Sequence, residues 1–200
     1  SLRRARRKRV GLPQIAIVGY TNAGKSTLLN TMTRSKVDAE DKLFATLDPT
    51  SRRLRFPEER EVILTDTVGF IRNLPKDLLE AFRSTLEEAV DADFILHVLD
   101  ASSPEMDLQA REVQNTLVQL GADATPTILV LNKIDALDPM LWTAVRDRFR
   151  FQENSQVAHS DVILCSALTS KNLSQLIVAI ERMAFRERSN QEESDAQAQA

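Results

Sequence analysis

An α/β fold with a doubly wound, mostly parallel six-stranded sheet and one antiparallel edge strand is the class this chain predicts. Three observations predict it. Short apolar runs alternate with longer segments whose apolar residues recur at helical spacing. Two early runs are separated by only a polar turn, which makes a hairpin instead of a crossover. Several runs end in Gly, Asp or Asn motifs, where such sheets bind ligands beyond the carboxyl ends of their strands.

The elements follow in order. Residues 14–18 form an apolar strand that ends at Gly19. Residues 25–32 read as a helix with Leu28, Leu29 and Met32 on one side. Residues 35–50 have weak periodicity and contain Asp48-Pro49, so they predict a loop. Residues 52–56 alternate basic and apolar side chains, as a half-exposed strand does, and 57–60 make a polar turn. The next strand starts at Val62 and ends at Asp66. Leu78, Leu79, Phe82, Leu86 and Val90 mark a helix over 76–90. Strand 94–99 precedes an amphipathic helix over 105–120 with Gly121 as its C-terminal cap. Strand 127–131, helix 139–149, strand 162–165 and helix 173–186 complete the fold. The chain therefore divides into a basic arm at 1–12, a folded domain at 13–187 and a polar tail at 188–200. The tail, rich in Ala and Gln, is expected to lack order.

Composition bounds the function class. With 200 residues, 42% hydrophobic and 28% charged, the chain can bury a core without disulfides. Cys165, the single cysteine, is expected as a small apolar strand residue, and the lack of a disulfide framework fits a reducing compartment. No apolar run approaches the roughly 18 residues needed to span a bilayer, and the basic start is not followed by a signal-peptide core. A cytoplasmic monomer without stable membrane insertion is expected. The first residue is not Met, so the chain is expected to be an excerpt with something upstream. Net charge is −3, yet Arg3, Arg4, Arg6, Arg7, Lys8 and Arg9 crowd the start. That arm is open to two roles: contact with a polyanion such as RNA, or the solvated end of a helix.

The chemistry sits in motifs at the strand ends. Gly19-Tyr20-Thr21-Asn22-Ala23-Gly24-Lys25-Ser26, followed by Thr27, matches G-x-x-x-x-G-K-[ST] between a strand and a helix. This is a phosphate loop. Its glycines let backbone N–H groups point at phosphates, Lys25 charges the β- and γ-phosphates, and Ser26 offers a hydroxyl to Mg²⁺. Asp66-Thr67-Val68-Gly69 ends the third strand. Asp66 can hold Mg²⁺ through water, and Gly69 can offer its N–H to the γ-phosphate. Asn132-Lys133-Ile134-Asp135 selects the base. The Asp135 carboxylate only accepts, so it can take two parallel bonds from the N1–H and N2–H₂ edge of guanine, which adenine lacks. Lys133 can lie along the base and Asn132 can brace the loop. Ser166-Ala167-Leu168 would add backbone donors to guanine O6. Phe44-Ala45-Thr46-Leu47-Asp48 lies in the loop that follows the first helix. There a hydroxyl can reach Mg²⁺ and sense the γ-phosphate, and Thr46 and Thr50 are both available.

These residues together carry a specific resemblance. The phosphate loop, then Leu43-Phe44-Ala45-Thr46-Leu47-Asp48-Pro49-Thr50, then Thr65-Asp66-Thr67-Val68-Gly69-Phe70-Ile71, then His97-Val98-Leu99-Asp100-Ala101-Ser102, resemble the GTPase domain of the HflX family over about residues 3–186. The resemblance implies a P-loop G domain, GTP and GDP as ligands, and the ribosome as partner, mainly its large subunit and RNA. It implies a role in splitting or rescuing stalled or hibernating ribosomes. It also implies Thr46 as the loop's Mg²⁺ ligand, and an N-terminal domain upstream whose helical linker ends in the basic arm. The family's last motif continues as Thr-Gly-x-Gly. Here it is Thr169-Ser170-Lys171-Asn172, which leaves that loop's conformation open.

Catalysis rests on Lys25, Thr46 and Gly69. Ras-type enzymes orient the attacking water with a Gln after the Asp-x-x-Gly element, as the standard template has it. Phe70 stands there and cannot hydrogen-bond a water, so slow, partner-dependent hydrolysis is expected. Asn22 is open to two roles, a potassium ligand or a residue tolerating an unusual backbone angle. An ATP-using enzyme and a nucleotide-gated binding module are the rival classes. His97 is expected in the core and His159 in solvent. Trp142 and Phe149 are expected on the buried face of a helix. His97, Asp100 and Ser102 share one strand end without nucleophile-elbow glycines and make no hydrolase triad.

Overall fold

A computed structural model describes residues 11–33, 50–57, 59–67, 69, 91–150 and 159–198. Its elements are β1 (Gln14–Gly19), α1 (Lys25–Thr33), β2 (Thr50–Arg55), β3 (Glu61–Asp66), β4 (Phe94–Asp100), α2 (Met106–Gln119), β5 (Thr127–Asn132), α3 (Trp142–Arg150), β6 (His159–Leu164) and α4 (Leu173–Ala198). The six strands lie in the order β2-β3-β1-β4-β5-β6. β2 pairs antiparallel with β3, and every other pair is parallel. The expected α/β sheet with one antiparallel edge strand is therefore the observed one.

Alternation along each central strand sends side chains to two cores. Ile15 and Ile17 of β1, Leu96 and Val98 of β4 and Ile128 and Val130 of β5 face Leu28 and Leu29 of α1 and Leu176 and Ile180 of α4. Ala16, Val18 and Ile95 face the other way, onto Val113 and Leu117 of α2. On that same side Leu99, Leu129 and Leu131 meet Met106 and Phe149. Each of the large, fully buried side chains contributes about 1.5–3 kcal/mol. Helices on both faces leave the carboxyl edge of the parallel strands as the open rim.

Local chemistry explains the element ends. Gly121 has φ +73°. Its N–H reaches the Val118 carbonyl at 3.0 Å and the Ala122 N–H reaches Leu117 at 2.8 Å, the paired bonds of a Schellman cap. The β2–β3 turn closes with Phe56 N–H on the Arg60 carbonyl at 2.8 Å. That hairpin is fastened to α4. Phe56 and Phe185 meet edge to face at 5.8 Å, and Arg60 pairs with Glu181 at 2.7 Å.

Two elements differ from expectation. The helix expected from Pro139 opens instead as a 3₁₀ turn, Pro139–Leu141, and becomes α-helical at Trp142. The Asp138 carboxylate accepts the Met140 N–H at 2.9 Å and shapes that first turn. The polar stretch after Arg186, expected to lack order, is helical to Ala198. Its Glu, Gln, Arg and Ala residues have good helix propensity, and no Gly or Pro interrupts them. The expected helix over 76–90 and the arm at 1–10 lie outside the described residues. Among the described residues no helix is long and apolar enough to cross a membrane.

Candidate functional site

The phosphate loop leaves β1 between β3 and β4, and its geometry accounts for its residue types. A Cβ on Gly19 would stand 2.3 Å from the Val98 carbonyl oxygen, so neighbouring β4 backbone demands glycine there. Gly24 has φ +92°, and its Cβ would stand 2.4 Å from Asn132 Nδ2. Asn22 is exposed with φ +60°, a left-handed conformation that Asn tolerates better than most side chains.

Lys25 is buried, and its Nζ donates to the Tyr20 carbonyl at 3.3 Å. Burial pushes its pKa down, and the negative charge of Asp66 partly opposes this. Lys25 is thus held where burial desolvates its charge. Ser26 Oγ donates to Asp66 Oδ2 at 2.6 Å, which joins the hydroxyl of the first motif to the acid of the second. Asp66 is buried at the end of β3. Thr67 then ties the strand end to β1, its hydroxyl donating to the Ile17 carbonyl at 2.8 Å. Gly69 sits against the phosphate loop. A Cβ there would stand 3.0 Å from Thr21 Cα and 3.1 Å from Lys25 Nζ. The chain comes that close to the lysine because residue 69 has no side chain.

Asn132 connects the remaining pieces. Fully buried, it donates from Nδ2 to the Ala23 carbonyl at 2.9 Å. It accepts at Oδ1 from the Ala167 N–H, also at 2.9 Å. One side chain thereby locks the phosphate loop to the Ser166-Ala167-Leu168 loop. Ile134 is buried with its N–H on the Cys165 carbonyl at 3.3 Å, while Asp135 is exposed in the turn Ile134–Ala136. The Ser166 N–H bonds the Lys171 carbonyl at 3.0 Å. With Ala167 also engaged, Leu168 supplies the one N–H of the triplet that bonds nothing among the described residues. Ser170 and Asn172 have φ +61° and +60°. Both adopt the left-handed geometry that favours glycine, which costs Ser170 more than Asn172 because Asn tolerates it.

The structure does not describe Phe44, Ala45, Thr46, Leu47, Asp48, Val68 or Phe70. The alternative hydroxyl residue, Thr50, opens β2, where its Cα is paired with that of Asp66. His97 is buried in β4. Phe149 is buried and Trp142 packs against the same core. Cys165 is a buried core residue whose thiol pKa is pushed up to about 12 by burial. The side chain of His159 is not among those described. Asp100 has a role that sequence reasoning missed. Its Oδ2 pairs with Lys133 Nζ at 2.9 Å. The missing signal was spatial, since Asp100 and Asn132 are neighbours only through the β4–β5 register.

Residues 14–133 match the family model described as 50S ribosome-binding GTPase. The chain belongs to that family. The resemblance to HflX GTPases holds across the relatives. It is 52% identical over 187 residues to GTPase HflX of Caldanaerobacter subterraneus, matching 94% of this chain and 40% of the relative. To GTPase HflX of Escherichia coli it is 42% identical over 177 residues, 88% of this chain and 40% of the relative. The chain thus spans about 40% of the length of these curated relatives. Among solved structures, it is similar to a GTP-binding protein from the archaeon Sulfolobus solfataricus in complex with GDP. There the TM-score is 0.72 at 30% identity over 87% of this chain and 53% of the other. It is also similar to Era in complex with MgGDPNP and a segment of 16S ribosomal RNA. That TM-score is 0.69 at 27% identity over 84% of this chain and 55% of the other.

Proposed function

We propose that the chain binds Mg²⁺·GTP, hydrolyses it to GDP and phosphate, and acts as a nucleotide-dependent switch that associates with the large ribosomal subunit. The observation that carries this is the Asn132 bridge. It fixes the base-selecting turn and the Ser166–Leu168 loop to the phosphate loop, so that one nucleotide spans all three.

In this mechanism the buried Lys25 ammonium stabilises charge that develops on the β–γ bridging and terminal oxygens. Asp135 selects guanine, and the stem of Lys133 flanks the base. Ser26 and Asp66 fit a magnesium ion: the Ser26 hydroxyl would hold it directly and Asp66 through water, and their 2.6 Å hydrogen bond keeps both oxygens at one place, as Mg²⁺ with its hard oxygen ligands and retained waters requires. Thr46 would be the other direct protein ligand. When bound, the ion would neutralise phosphate charge and orient the γ-phosphate. Gly69, already against Lys25, would meet the γ-phosphate with its N–H. Phe70 offers no hydrogen bond to a water, so hydrolysis is slow until a partner completes the site. Potassium through Asn22 is testable by single-turnover hydrolysis in sodium and potassium salts; equal rates remove it.

The family description, 50S ribosome-binding GTPase, and the likeness to Era, solved with a segment of 16S ribosomal RNA, support a ribosomal partner, and the cytoplasm is the compartment in which we place it. Splitting or rescue of stalled or hibernating particles is the output that fits a GTP-gated binder. The test is sedimentation of the protein, with and without the N-terminal part of its relatives, against 70S and 50S particles. Co-sedimentation with a GTP analogue but not GDP, and GTP turnover stimulated by ribosomes, is the expected result. Equal sedimentation in both nucleotide states refutes the switch.

A further inference from the structure

Asp100 closes β4 directly beside the base-selecting motif, and nothing in the phosphate chemistry uses it. Both of its carboxylate oxygens are engaged. Oδ1 accepts the Ser102 N–H at 2.9 Å and the Ser102 hydroxyl at 2.6 Å. Oδ2 faces Lys133 Nζ at 2.9 Å. The carboxylate is therefore held in one rotamer before it meets the lysine. Backbone reinforces the arrangement, since Ala101 N–H bonds the Asn132 carbonyl at 2.8 Å and Asp100 lies in register with Asn132. Lys133 in turn has a left-handed backbone, φ +64°. Its Cε would lie 3.8 Å from a Cβ on Gly24. The lysine stem thus runs from the end of β5, past the phosphate loop, to an anchor on β4.

We infer that Asp100 is a positioning residue for nucleotide binding, oriented by Ser102, which stretches Lys133 into a rigid apolar rail against the purine and ribose. An unanchored lysine would lose much of its rotamer freedom when a nucleotide packed on it. Anchoring it beforehand removes part of that cost, which is the general benefit of preorganisation. The pair is only part-buried, with side-chain exposures of 36% for Lys133 and 18% for Asp100, so its electrostatic worth is modest. The effect belongs in the dissociation rate, because loosening a wall of a formed pocket speeds escape more than it slows encounter.

The inference rests on the guanine-nucleotide reading above, and the experiment separates the two. Stopped-flow measurements with a fluorescent N-methylanthraniloyl GDP give association and dissociation rates for wild type, Asp100→Asn, Lys133→Met and the double variant. Urea unfolding without nucleotide is measured on the same proteins. Dissociation about three- to fivefold faster for Asp100→Asn, an association rate within twofold, and no further effect of Asp100→Asn in the Lys133→Met background support the inference. Ser102→Ala should accelerate dissociation by a smaller factor. Three results overturn it: an unchanged dissociation rate in Asp100→Asn, an undiminished effect of Asp100→Asn once Lys133 is Met, or a loss of nucleotide-free stability that accounts for the whole change. If wild type binds no GDP, the guanine reading falls and this inference with it. If wild type binds and Asp100→Asn releases at the same rate, only the inference falls.

Discussion

Replacing Asn132 with Ala probes the joint on which the site depends. The side chain makes two buried bonds, to the Ala23 carbonyl and from the Ala167 N–H, each at 2.9 Å. Truncation leaves a carbonyl and an N–H buried without these partners. A buried polar group left unsatisfied costs about 1–3 kcal/mol. Two of them set a range of about 2–6 kcal/mol, and water entering the vacated space lowers the expected loss to about 2–4 kcal/mol. Against a typical total of about 5–15 kcal/mol, that is a large fraction. Urea unfolding followed by the fluorescence of Trp142, the single tryptophan, measures it. Trp142 packs into the α3 core and lies 4.4 Å from Lys171 in the adjacent loop, so it reports on this region. Nucleotide affinity should fall as well, because the phosphate loop and the Ser166–Leu168 loop are no longer held at a fixed separation. A stability loss below about 0.5 kcal/mol, the range of ordinary surface substitutions, together with unchanged GDP affinity, would refute the reasoning.

Other expectations follow from single positions. Gly19→Ala places a Cβ at 2.3 Å from the Val98 carbonyl, a clash between backbones that no rotamer relieves. It should cost about 3 kcal/mol or more in nucleotide-free unfolding, and a loss under 1 kcal/mol would contradict the close approach. Ser170→Gly relieves a left-handed residue at φ +61°, partly offset by the freer unfolded chain. A gain of about 0.5–1 kcal/mol in unfolding is expected, and destabilisation would argue against that geometry. Lys25 has its folded-state pKa lowered by burial. As pH rises through that lowered value toward the unfolded one, the unfolded chain binds more protons than the folded one, so nucleotide-free stability rises. A bound phosphate favours the charged form, so GDP binding takes up protons and weakens as pH rises through the same range. Calorimetry of GDP binding in buffers of different ionisation enthalpy reads the proton uptake, and proton release would reverse the assignment.

The parts of this site that are contiguous in sequence were the parts legible in it. The stretch from Gly19 to Ser26 declares its own geometry, since glycine, lysine and serine at those spacings only make sense around phosphate. Short continuous apolar runs likewise revealed the strands, because parallel strands buried on both faces read as runs such as Phe94 to Leu99. What escaped was contact between distant segments. Asn132 was expected to brace a loop, but its partners, Ala23 and Ala167, lie 109 and 35 residues away. That Ala167 gives its N–H to Asn132 could be seen only in three dimensions. Asp100 looked like a strand end beside a serine, and its meaning came from the β4–β5 register. The far part of α4 escaped for a different reason. Its residues after Arg186 carry helix propensity without an apolar stripe, and periodicity is silent on such a segment.

In the proposed function this fold holds guanine nucleotides through Asp135. Equilibrium competition of GDP, ADP and XDP for wild type and Asp135→Asn tests it most directly. Wild type should bind GDP in strong preference to ADP and XDP. In Asp135→Asn the new amide can donate to the C2 carbonyl of xanthine, so GDP should weaken by more than tenfold while XDP tightens. Competition by ADP at concentrations similar to GDP in wild type, or an unchanged GDP affinity in Asp135→Asn, would contradict the account.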